Sequence, residues 1–433
     1  MKKVSRNEIL DLVKAFAEEN IVPQNKREPK EDRVLVSGKV LGSEEIVNMV
    51  DAALDGWLTA GRFNREFESQ LAEYWGKARC ISVNSGSSAN LVAFSALTSP
   101  KLRNRQVTQG DEVISVAAGF PTTINPIMQH GCVPVFVDVE SKTHNINVDL
   151  IEQAITEKTK AIMIAHALGN PFDIHKIREI CDRHSLWMIE DCCDALGATV
   201  DGIHVGTLAD ICTVSFYPAH HITMGEGGAV LTDNRMLAKI CESFRDWGRD
   251  CHCGPGEDNS CGKRFGWKLG LLPEGYDHKY TYSHMGFNLK ISDMQAACGL
   301  AQLQKVDGFI EARRRNYTYL RGKLDGLPGL RFVESVTGAN PSWFGFPVIV
   351  ESDCRLGRDE LVVKLNENGI DTRLFFGGNI TKQPYMMDKK FRTHGELPET
   401  DLLMNSAFWL GVYPGLEEKH LDYVSKVLEE LVM

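Results

Sequence analysis

Short apolar runs alternate with amphipathic stretches from about residue 36 onward, and this alternation most constrains the fold of the chain. The runs have the length and β-branched content of strands, and helical stretches separate many of them. Such alternation predicts a largely parallel sheet covered by helices on both faces. The runs are Cys80–Val83, Glu112–Val116, Val133–Val139, Ala161–His166, Leu186–Glu190, Ile211–Phe216 and Gly228–Thr232, and the helical stretches include Ser88–Leu97, Leu150–Ile155 and Ile174–His184.

The N-terminal segment, one insertion and the C-terminal part of the chain do not follow this alternation. Apolar residues at helical spacing in 7–20 predict an N-terminal helix, and a charged linker with a proline follows from Pro23 to Arg33. Residues 246–284 are rich in Gly, Cys, Lys and aromatic residues without a period, which indicates a functional insertion. The predicted helices beyond residue 310 are Ala312–Leu324, Glu360–Asn368 and one from Glu417, and the strands are Leu330–Ser335 and Gly345–Val350. We therefore predict an N-terminal helix and linker (1–35), a large cofactor-binding domain with the insertion (36–310) and a small α+β domain (311–433).

Composition excludes several classes of protein. A formal charge of -10 argues against a nucleic-acid surface, and no apolar run approaches the roughly 18 residues of a membrane helix. The first residues turn acidic before the apolar core of a signal peptide can form, so we expect a cytoplasmic protein. In that reducing compartment the 12 cysteines are not expected to form disulfides, and a tight cluster of them would indicate a metal site.

Ligands of parallel α/β sheets lie at the carboxyl ends of the strands, and three motifs fall there. Small residues in 84–90 (N-S-G-S-S-A-N) allow backbone N–H groups to approach a phosphate at a helix N-terminus; an ordinary serine N-cap is the alternative. Asp191 ends the strand of I-E-D-C-C-D and is a candidate partner for a protonated heterocycle nitrogen, or else a helix N-cap. Residues 215–230 supply a hydroxyl, two adjacent histidines and a glycine-rich turn, although such histidines are more often surface or core residues.

The order and spacing of these blocks resemble the sugar aminotransferases of the DegT/DnrJ type. The resemblance runs from about residue 36 to the end and includes G-F-N-L-K-I-S-D-M-Q-A-A at 286–297. It implies the α/β fold of aspartate aminotransferase (type I PLP-dependent), with a large mostly parallel sheet domain and a small α+β C-terminal domain. It also implies roles for six residues: Ser87, Ser88 and Ser215 bind the cofactor phosphate, Asp191 pairs with the pyridine nitrogen, Phe120 stacks on the ring, and Asn288 reaches the phosphate of a neighbouring subunit in a homodimer.

One departure from this family concerns the residue that normally binds the cofactor covalently. His220 stands five residues after Ser215, where the family has a lysine. An imidazole forms no stable imine, so the resemblance implies non-covalent pyridoxamine 5′-phosphate (PMP) in place of covalently bound pyridoxal phosphate (PLP). A histidine still transfers protons near neutral pH, which makes His220 the predicted catalytic base. Asp194 and Tyr217 also depart from the family pattern.

A second departure is a set of cysteines in and near the insertion. Cys251 and Cys253 flank one histidine, Cys261 follows after seven residues, and Cys193 lies two residues after Asp191. Four thiolates suit zinc or an iron–sulfur cluster, and the spacing leaves the metal open; four unrelated cysteines are the alternative. Together with His220, these cysteines resemble the iron–sulfur 3-dehydrases of the family, which implies that they bind a [2Fe–2S] cluster.

This resemblance implies a reaction and its partners. The substrate would be a CDP-sugar, CDP-4-keto-6-deoxy-D-glucose, deoxygenated at C3 in the biosynthesis of 3,6-dideoxyhexoses of O-antigen lipopolysaccharide. Electrons would come from an NADH-dependent flavin and iron–sulfur reductase, which we expect to dock near Lys263, Arg264 and Lys268. The candidate sugar-binding residues are Arg373 and the turn at 375–379.

Two alternatives remain at this stage. One is a cluster-free PMP-dependent 3-dehydratase, and the other is a non-catalytic sugar-nucleotide sensor with a zinc site. An ordinary aminotransferase would need a lysine at position 220.

Overall fold

The computed structural model describes residues 4–21, 33–254 and 256–433, so the predicted linker lies outside the described residues except for Arg33. Within these ranges the chain forms thirteen α-helices and fifteen β-strands. The helices are α1 (Arg6–Asn20), α2 (Ser43–Leu54), α3 (Arg62–Trp75), α4 (Gly86–Leu97), α5 (Pro121–Gln129), α6 (Ile151–Ala154), α7 (Ile174–His184), α8 (Arg235–Arg245), α9 (Asp293–Leu303), α10 (Val306–Leu324), α11 (Arg358–Glu367), α12 (Pro398–Ser406) and α13 (Glu418–Val432). The strands are β1 (Arg79–Val83), β2 (Glu112–Val116), β3 (Val133–Val137), β4 (Thr159–Ala165), β5 (Trp187–Asp191), β6 (Thr199–Val200), β7 (Ile203–His204), β8 (Ile211–Ser215), β9 (Gly228–Thr232), β10 (Leu330–Phe332), β11 (Ala339–Asn340), β12 (Phe346–Val350), β13 (Arg373–Leu374), β14 (Arg392–Thr393) and β15 (Ala407–Leu410).

An eight-stranded sheet with the order β1-β9-β8-β5-β4-β2-β3-β14 forms the centre of the molecule. Its strands run parallel from β8 to β14, and β9 is antiparallel to both of its neighbours, β1 and β8. Every residue of β2, β3, β5 and β8 is buried, as expected for a sheet covered on both faces. The predicted mostly parallel sheet is therefore confirmed, and the carboxyl ends of β1, β2, β5 and β8 meet at one edge.

Short polar side chains begin several of the helices that cover this sheet. The Ser85 hydroxyl accepts the N–H of Ser88 at the start of α4, and the Asp173 carboxylate accepts the N–H of Lys176 at the start of α7. Most residues of α4 are buried, because the helix lies between the sheet and the helices α5 and α8. The cap thus fixes the N-terminus of a core helix directly after β1, where the first motif was predicted to bind a phosphate.

A smaller antiparallel sheet, with the order β10-β12-β15-β13, lies in the C-terminal part of the chain. Residues of α10, α11 and α13 pack with it in a separate apolar cluster. β14 does not join this sheet, because Arg392 and Thr393 pair in parallel with β3 of the large sheet. The region predicted as the small domain therefore also supplies an edge strand to the large one.

The insertion, residues 246–284, has little regular secondary structure, but hydrogen bonds hold the two ends of the segment in place. Arg249 pairs with Tyr282 across the two ends of the segment. The carboxylate of Asp250 accepts hydrogen bonds from Lys101 Nζ (2.6 Å), Ser283 Oγ (2.5 Å) and His278 Nε2 (2.8 Å). The polypeptide just before Cys251 is thereby tied to the body of the molecule.

Membrane insertion finds no support in the described helices, since none of them is both long and apolar enough to span a bilayer.

Candidate active site

A cavity of about 590 Å³ opens at the carboxyl edge of the large sheet. It gathers residues from the ends of β1, β2, β5 and β8 with residues of the C-terminal part of the chain. Six of the residues predicted to be catalytic, to bind the cofactor or to bind metal line it: Ser87, Phe120, Asp191, Cys193, Ser215 and His220. Residues with no predicted site role also line it, among them Ser37, Asn90, Thr123, Glu226, Phe344 and Trp409.

The N-terminus of α4 forms one end of the cavity. A Cβ added to Gly86 would lie 2.4 Å from Ser215 Cβ and 3.0 Å from Cys193 Sγ, so only glycine fits there. The free N–H groups and the dipole of a helix N-terminus favour an anion such as a phosphate. Ser87 Oγ donates to Thr122 Oγ1 at the cavity wall, whereas the Ser88 hydroxyl donates to Asn84 Oδ1 and does not line the cavity.

A buried carboxylate forms the opposite side of this end. Asp191 is 5% exposed, and its Oδ2 accepts hydrogen bonds from Asn90 Nδ2 and Thr123 Oγ1, both at 2.7 Å. Its Oδ1 accepts the backbone N–H of Cys193 at 3.1 Å. These donors fix the carboxylate in one orientation, which suits pairing with a ring N–H. Asn90 lies four residues after Gly86, on the same face of α4.

Phe120 leaves an aromatic face open in the cavity. It is the N-cap residue of α5, followed by a proline at the first helical position, and its side chain is 51% exposed. A half-exposed ring in a cavity is available for stacking on a planar ligand.

His220 lies in the turn after β8, and its surroundings keep its imidazole uncharged. Nδ1 is 3.4 Å from Asp194 Oδ1, and the ring lies 5.1 Å from that of Phe344. Burial, reinforced by the positive charge of Arg313, lowers the pKa of His220 to about 4. Burial and the neighbouring Asp191 raise the pKa of Asp194 well above its usual range. His220 is therefore neutral at pH 7 and able to accept a proton.

The adjacent histidine has a different role. His221 is 3% exposed, and its Nε2 bonds to the backbone oxygen of Ser342 at 3.0 Å. Without the family resemblance, the sequence did not show which of the two histidines is the candidate base. The structure does, because one is a hydrogen-bonded core residue and the other lines the cavity.

The four predicted metal-binding cysteines are divided between two places. Cys193 lines the cavity beside Gly86, and burial raises the pKa of its thiol. Cys251 and Cys253 line a second cavity of about 660 Å³ next to the insertion. Burial and the nearby thiols of Cys253 and Cys261 raise the pKa of Cys251.

No ligand group containing the predicted cysteines forms in the described part of the chain. There, the group whose candidate metal-ligand atoms lie within 4.8 Å of one another is His166, Glu190 and Cys192. His166 and Glu190 already form a buried hydrogen bond of 3.0 Å. The four-cysteine site therefore stays a prediction.

Two further predictions concern Asn288 and the candidate sugar-binding residues. Asn288 pairs through its backbone with Asp246, and its Oδ1 accepts from Lys290 Nζ at 2.6 Å, outside this cavity. Its predicted contact with a neighbouring subunit stays a prediction. Arg373 and Phe376 line the cavity, whereas Phe375 is 1% exposed in the core.

Comparison with known proteins identifies the family of the chain. The model of the DegT/DnrJ/EryC1/StrS aminotransferase family matches residues 40–429. The chain belongs to this family. Its similarity to other members extends over nearly the whole length of the chain.

Among relatives in the family, the chain is 57% identical over 426 residues to the lipopolysaccharide biosynthesis protein RfbH of Salmonella typhimurium, covering 98% of this chain and 97% of RfbH. It is 52% identical over 396 residues to the dTDP-4-dehydro-2,6-dideoxy-D-glucose 3-dehydratase of Saccharopolyspora spinosa, covering 92% and 86% of the two chains. Among solved structures, it resembles the E. coli GDP-4-keto-6-deoxy-D-mannose-3-dehydratase with bound hydrated PLP (TM-score 0.83, 29% identity, 92% and 99% coverage). The predicted fold of PLP-dependent aminotransferases is thereby confirmed.

Proposed function

We propose that this chain removes the C3 hydroxyl of a nucleotide-linked 4-keto-6-deoxyhexose with PMP as its B6 cofactor. The observation that carries the proposal is the imidazole of His220 in the cavity; none of the described residues that line the cavity is a lysine. Without the side-chain amine of a lysine at this position, a family member cannot bind PLP covalently, as an aminotransferase does. The similarity to a nucleotide-sugar 3-dehydratase supports the same reaction, and the similarity to RfbH supports a role in lipopolysaccharide biosynthesis.

The residues present fit the cofactor. The N-terminus of α4, where Gly86 lies against Ser215, would hold the phosphate together with the hydroxyls of Ser87 and Ser215. Asp191 would pair with the ring nitrogen, and Phe120 would stack on the ring. When bound, PMP supplies an amine for the C4 ketone of the sugar and a ring that accepts electrons.

His220 moves the proton that starts the elimination. Because the imidazole is neutral, it can take a proton from the C4′ carbon of the cofactor. Asp194 Oδ1 lies 3.4 Å from Nδ1, and Phe344 restricts the position of the ring. His220 would then pass this proton to the C3 hydroxyl, which would leave as water.

The second part of the proposal concerns the reduction that must follow. Replacing a C3 hydroxyl by hydrogen takes up two electrons, and a [2Fe–2S] cluster would supply them singly from an NADH-dependent flavin and iron–sulfur reductase. Cys251, Cys253 and Cys261, with Cys193, would hold the cluster. Partial burial opposes ionisation, yet hydrogen bonds from Ser260 and Cys251 lower the pKa of Cys253, as suits a thiolate ligand.

The finer assignments extend this proposal. The substrate is CDP-4-keto-6-deoxy-D-glucose, used in the cytoplasm for 3,6-dideoxyhexoses of lipopolysaccharide. The active unit is a homodimer, in which Asn288 reaches the phosphate bound by the neighbouring subunit; its position outside its own cavity agrees with this arrangement.

A cluster-free 3-dehydratase is the second candidate, and one observation favours it. Cys193 lies in the cofactor cavity, while Cys251 and Cys253 line a different one. Without a cluster, the reaction would end by hydrolysis with loss of ammonia and would need no reductase.

Anaerobic purification followed by iron, acid-labile sulfide, zinc and vitamin B6 analysis tests the proposal. We expect a red-brown protein with two irons and two sulfides per chain, which retains PMP and forms the 3-deoxy sugar only with a reductase. An iron-free protein that releases ammonia from the same substrate would favour the second candidate. A colourless zinc protein that binds the sugar nucleotide without turnover would overturn both and indicate a sensor.

A further inference from the structure

A buried hydroxyl lies behind the carboxylate of Asp191 and contacts the amide that binds it. Thr213 lies in the middle of β8 and is 0% exposed. Its Oγ1 donates to Asn90 Oδ1 at 2.6 Å, and Asn90 Nδ2 donates to Asp191 Oδ2 at 2.7 Å. The three side chains form a chain of hydrogen bonds that runs from β8 through α4 to the end of β5.

The direction of these hydrogen bonds follows from the groups at the two ends. A carboxylate only accepts hydrogen bonds, so the amide of Asn90 must present its NH2 group to Asp191. The carbonyl oxygen of the amide then faces Thr213, whose hydroxyl donates to it. Asn90 is 1% exposed, and a buried carbonyl oxygen that loses its donor is destabilising. Without the hydroxyl, we expect the amide to turn away from Asp191.

The same contact aligns α4 with β8. Gly86 and Asn90 are four residues apart on α4, a rise of about 6 Å. Thr213 and Ser215 are two residues apart on β8, a rise of about 6.6 Å. Gly86 lies against Ser215 at one end, and Asn90 contacts Thr213 at the other. The matched spacing places the proposed phosphate site and the proposed partner of the ring nitrogen on one pair of elements.

The other donors to Asp191 hold the carboxylate less completely. Thr123 Oγ1 donates to Oδ2 at 2.7 Å, and the backbone N–H of Cys193 donates to Oδ1 at 3.1 Å. All three donors are neutral, so the orientation of the carboxylate depends on the geometry of its hydrogen bonds. The terminal torsion of an aspartate is soft, and the loss of the Asn90 donor would let the carboxylate rotate.

We propose that Thr213 is a positioning residue for the B6 cofactor, whose hydroxyl keeps the Asn90 amide turned toward Asp191 and so holds the carboxylate in line with the ring nitrogen. The inference rests on the proposed cofactor site, in which Asp191 pairs with that nitrogen. Thr213 does not line the cavity and acts through Asn90.

The test compares the binding of PMP with that of its deaza analogue, in which a C–H group replaces the ring nitrogen. Isothermal titration calorimetry measures both dissociation constants on the full-length protein after dialysis has removed the cofactor. The unchanged protein should bind PMP about tenfold or more tightly than the analogue, which lacks the hydrogen bond to the carboxylate. In Thr213→Val this preference should fall to about threefold or less. In Thr213→Ser the hydroxyl remains, so the preference should be kept.

Thr232→Val is the matched control. Thr232 lies on the neighbouring strand β9, is 0% exposed and donates to the backbone oxygen of Asp210 at 2.7 Å. It stands at the end of β9 that pairs with the start of β8, away from the cavity. We expect this variant to lower the melting temperature and leave the preference for PMP unchanged. An unchanged preference in Thr213→Val, or an equal fall in Thr232→Val, would overturn the positioning role.

A double variant serves if Thr213→Val alone does not fold. Replacing both partners of a buried hydrogen bond by apolar groups costs less than leaving one of them unpaired, so Thr213→Val combined with Asn90→Leu should fold. Its preference for PMP should be as low as that of Asn90→Leu alone, because Thr213 acts through Asn90. A preference equal to that of the unchanged protein, or one lower than that of Asn90→Leu, would overturn the inference.

The binding measurements separate this inference from the proposed function. A protein that shows the expected preferences but leaves the C3 hydroxyl of the sugar in place would contradict only the proposed reaction. An unchanged protein that binds PMP and its analogue equally well would overturn the inference alone. A protein that binds neither would overturn both.

Discussion

At position 220 the side chain decides whether a B6 cofactor can become attached to the protein. The cavity around it would suit an amine, since burial and the charge of Arg313 disfavour added protons there. A lysine at this position would be deprotonated more easily than in water and could react with an aldehyde. The imidazole keeps the proton transfer and removes the covalent bond.

The variant His220→Lys tests this reasoning at the residue scale. We expect it to bind PLP covalently, which borohydride reduction would make permanent and intact-mass measurement would detect as one added pyridoxyl phosphate per chain. His220→Gln, which has no amine, is the control and should show no adduct. A folded His220→Lys protein that binds PLP but forms no adduct would contradict the placement of residue 220 beside the reactive carbon of the cofactor.

Individual site residues were predictable to different degrees. Asp191, Ser215 and His220 stand at strand ends, where the chain direction alone brings side chains to one edge. The hydrogen bonds from Asn90 and Thr123 to Asp191 depend on how α4 and α5 pack, which no local pattern encodes. Asp194 was noticed only as a departure from the family, and its position 3.4 Å from His220 required the structure.

At the scale of elements, the N-terminus of α4 brings the phosphate-binding motif against β8. Gly86 has no room for a side chain beside Ser215, whereas Gly322 in α10 has no atom within 4 Å of an added Cβ. The two glycines therefore separate the effect of close approach from the general effect of glycine in a helix.

Replacing each glycine by alanine gives opposite expectations. Gly86→Ala should lower the free energy of unfolding by about 1–3 kcal/mol through overpacking and weaken PLP binding by about tenfold or more, because α4 must move away from Ser215. Gly322→Ala should raise the free energy of unfolding by up to about 1 kcal/mol and leave binding unchanged. Denaturant titration and PLP fluorescence titration measure the two effects. Equal PLP affinity in both variants would argue against the N-terminus of α4 as the phosphate site.

The strands were more predictable than the helices. All seven apolar runs are strands whose ends differ from the prediction by at most two residues, because a strand buried on both faces must be apolar throughout. The predicted helix 150–155 shrinks to the four residues of α6, and six helices, α2, α3, α5, α8, α9 and α12, were not predicted. β14 has only two residues, and pairing with β3 rather than its own sequence makes it a strand.

At the scale of the whole molecule, the cavity combines two distant parts of the chain. Phe344 and Trp409 reach it from the C-terminal part, and their aromatic side chains are indistinguishable in sequence from those of core residues, whereas Arg373 from the same part was predicted as a sugar-binding candidate. The position of the insertion could not be predicted from the sequence either. The segment has no regular sequence pattern, and its position depends on contacts such as those of Asp250 with Lys101 and His278.

The cations of the insertion differ in their availability to a partner. Arg264 is held by Asp277 at 2.7 Å and by Asp258 at 3.6 Å, so it is a structural residue rather than a free docking charge. Lys263 and Lys268 are exposed, and Lys268 contacts only a backbone oxygen among its described hydrogen bonds. Exposed aromatic and aliphatic side chains, Phe265 and Leu271, lie in the same segment. Basic and apolar groups together suit an acidic partner surface near the cysteines.

The double substitution Lys263→Glu and Lys268→Glu should therefore slow electron delivery without harming the active site. We expect reductase-dependent turnover to fall about tenfold at low ionic strength, with a smaller difference at high salt, because surface charges act mainly on the association rate. Turnover driven by a small chemical reductant should not change. The matched control reverses Lys142 and Lys426, two exposed lysines outside the insertion. Equal reductase-dependent rates in the two double variants would exclude the insertion as the docking surface, and loss of the chemically driven rate would instead indicate damage to the site.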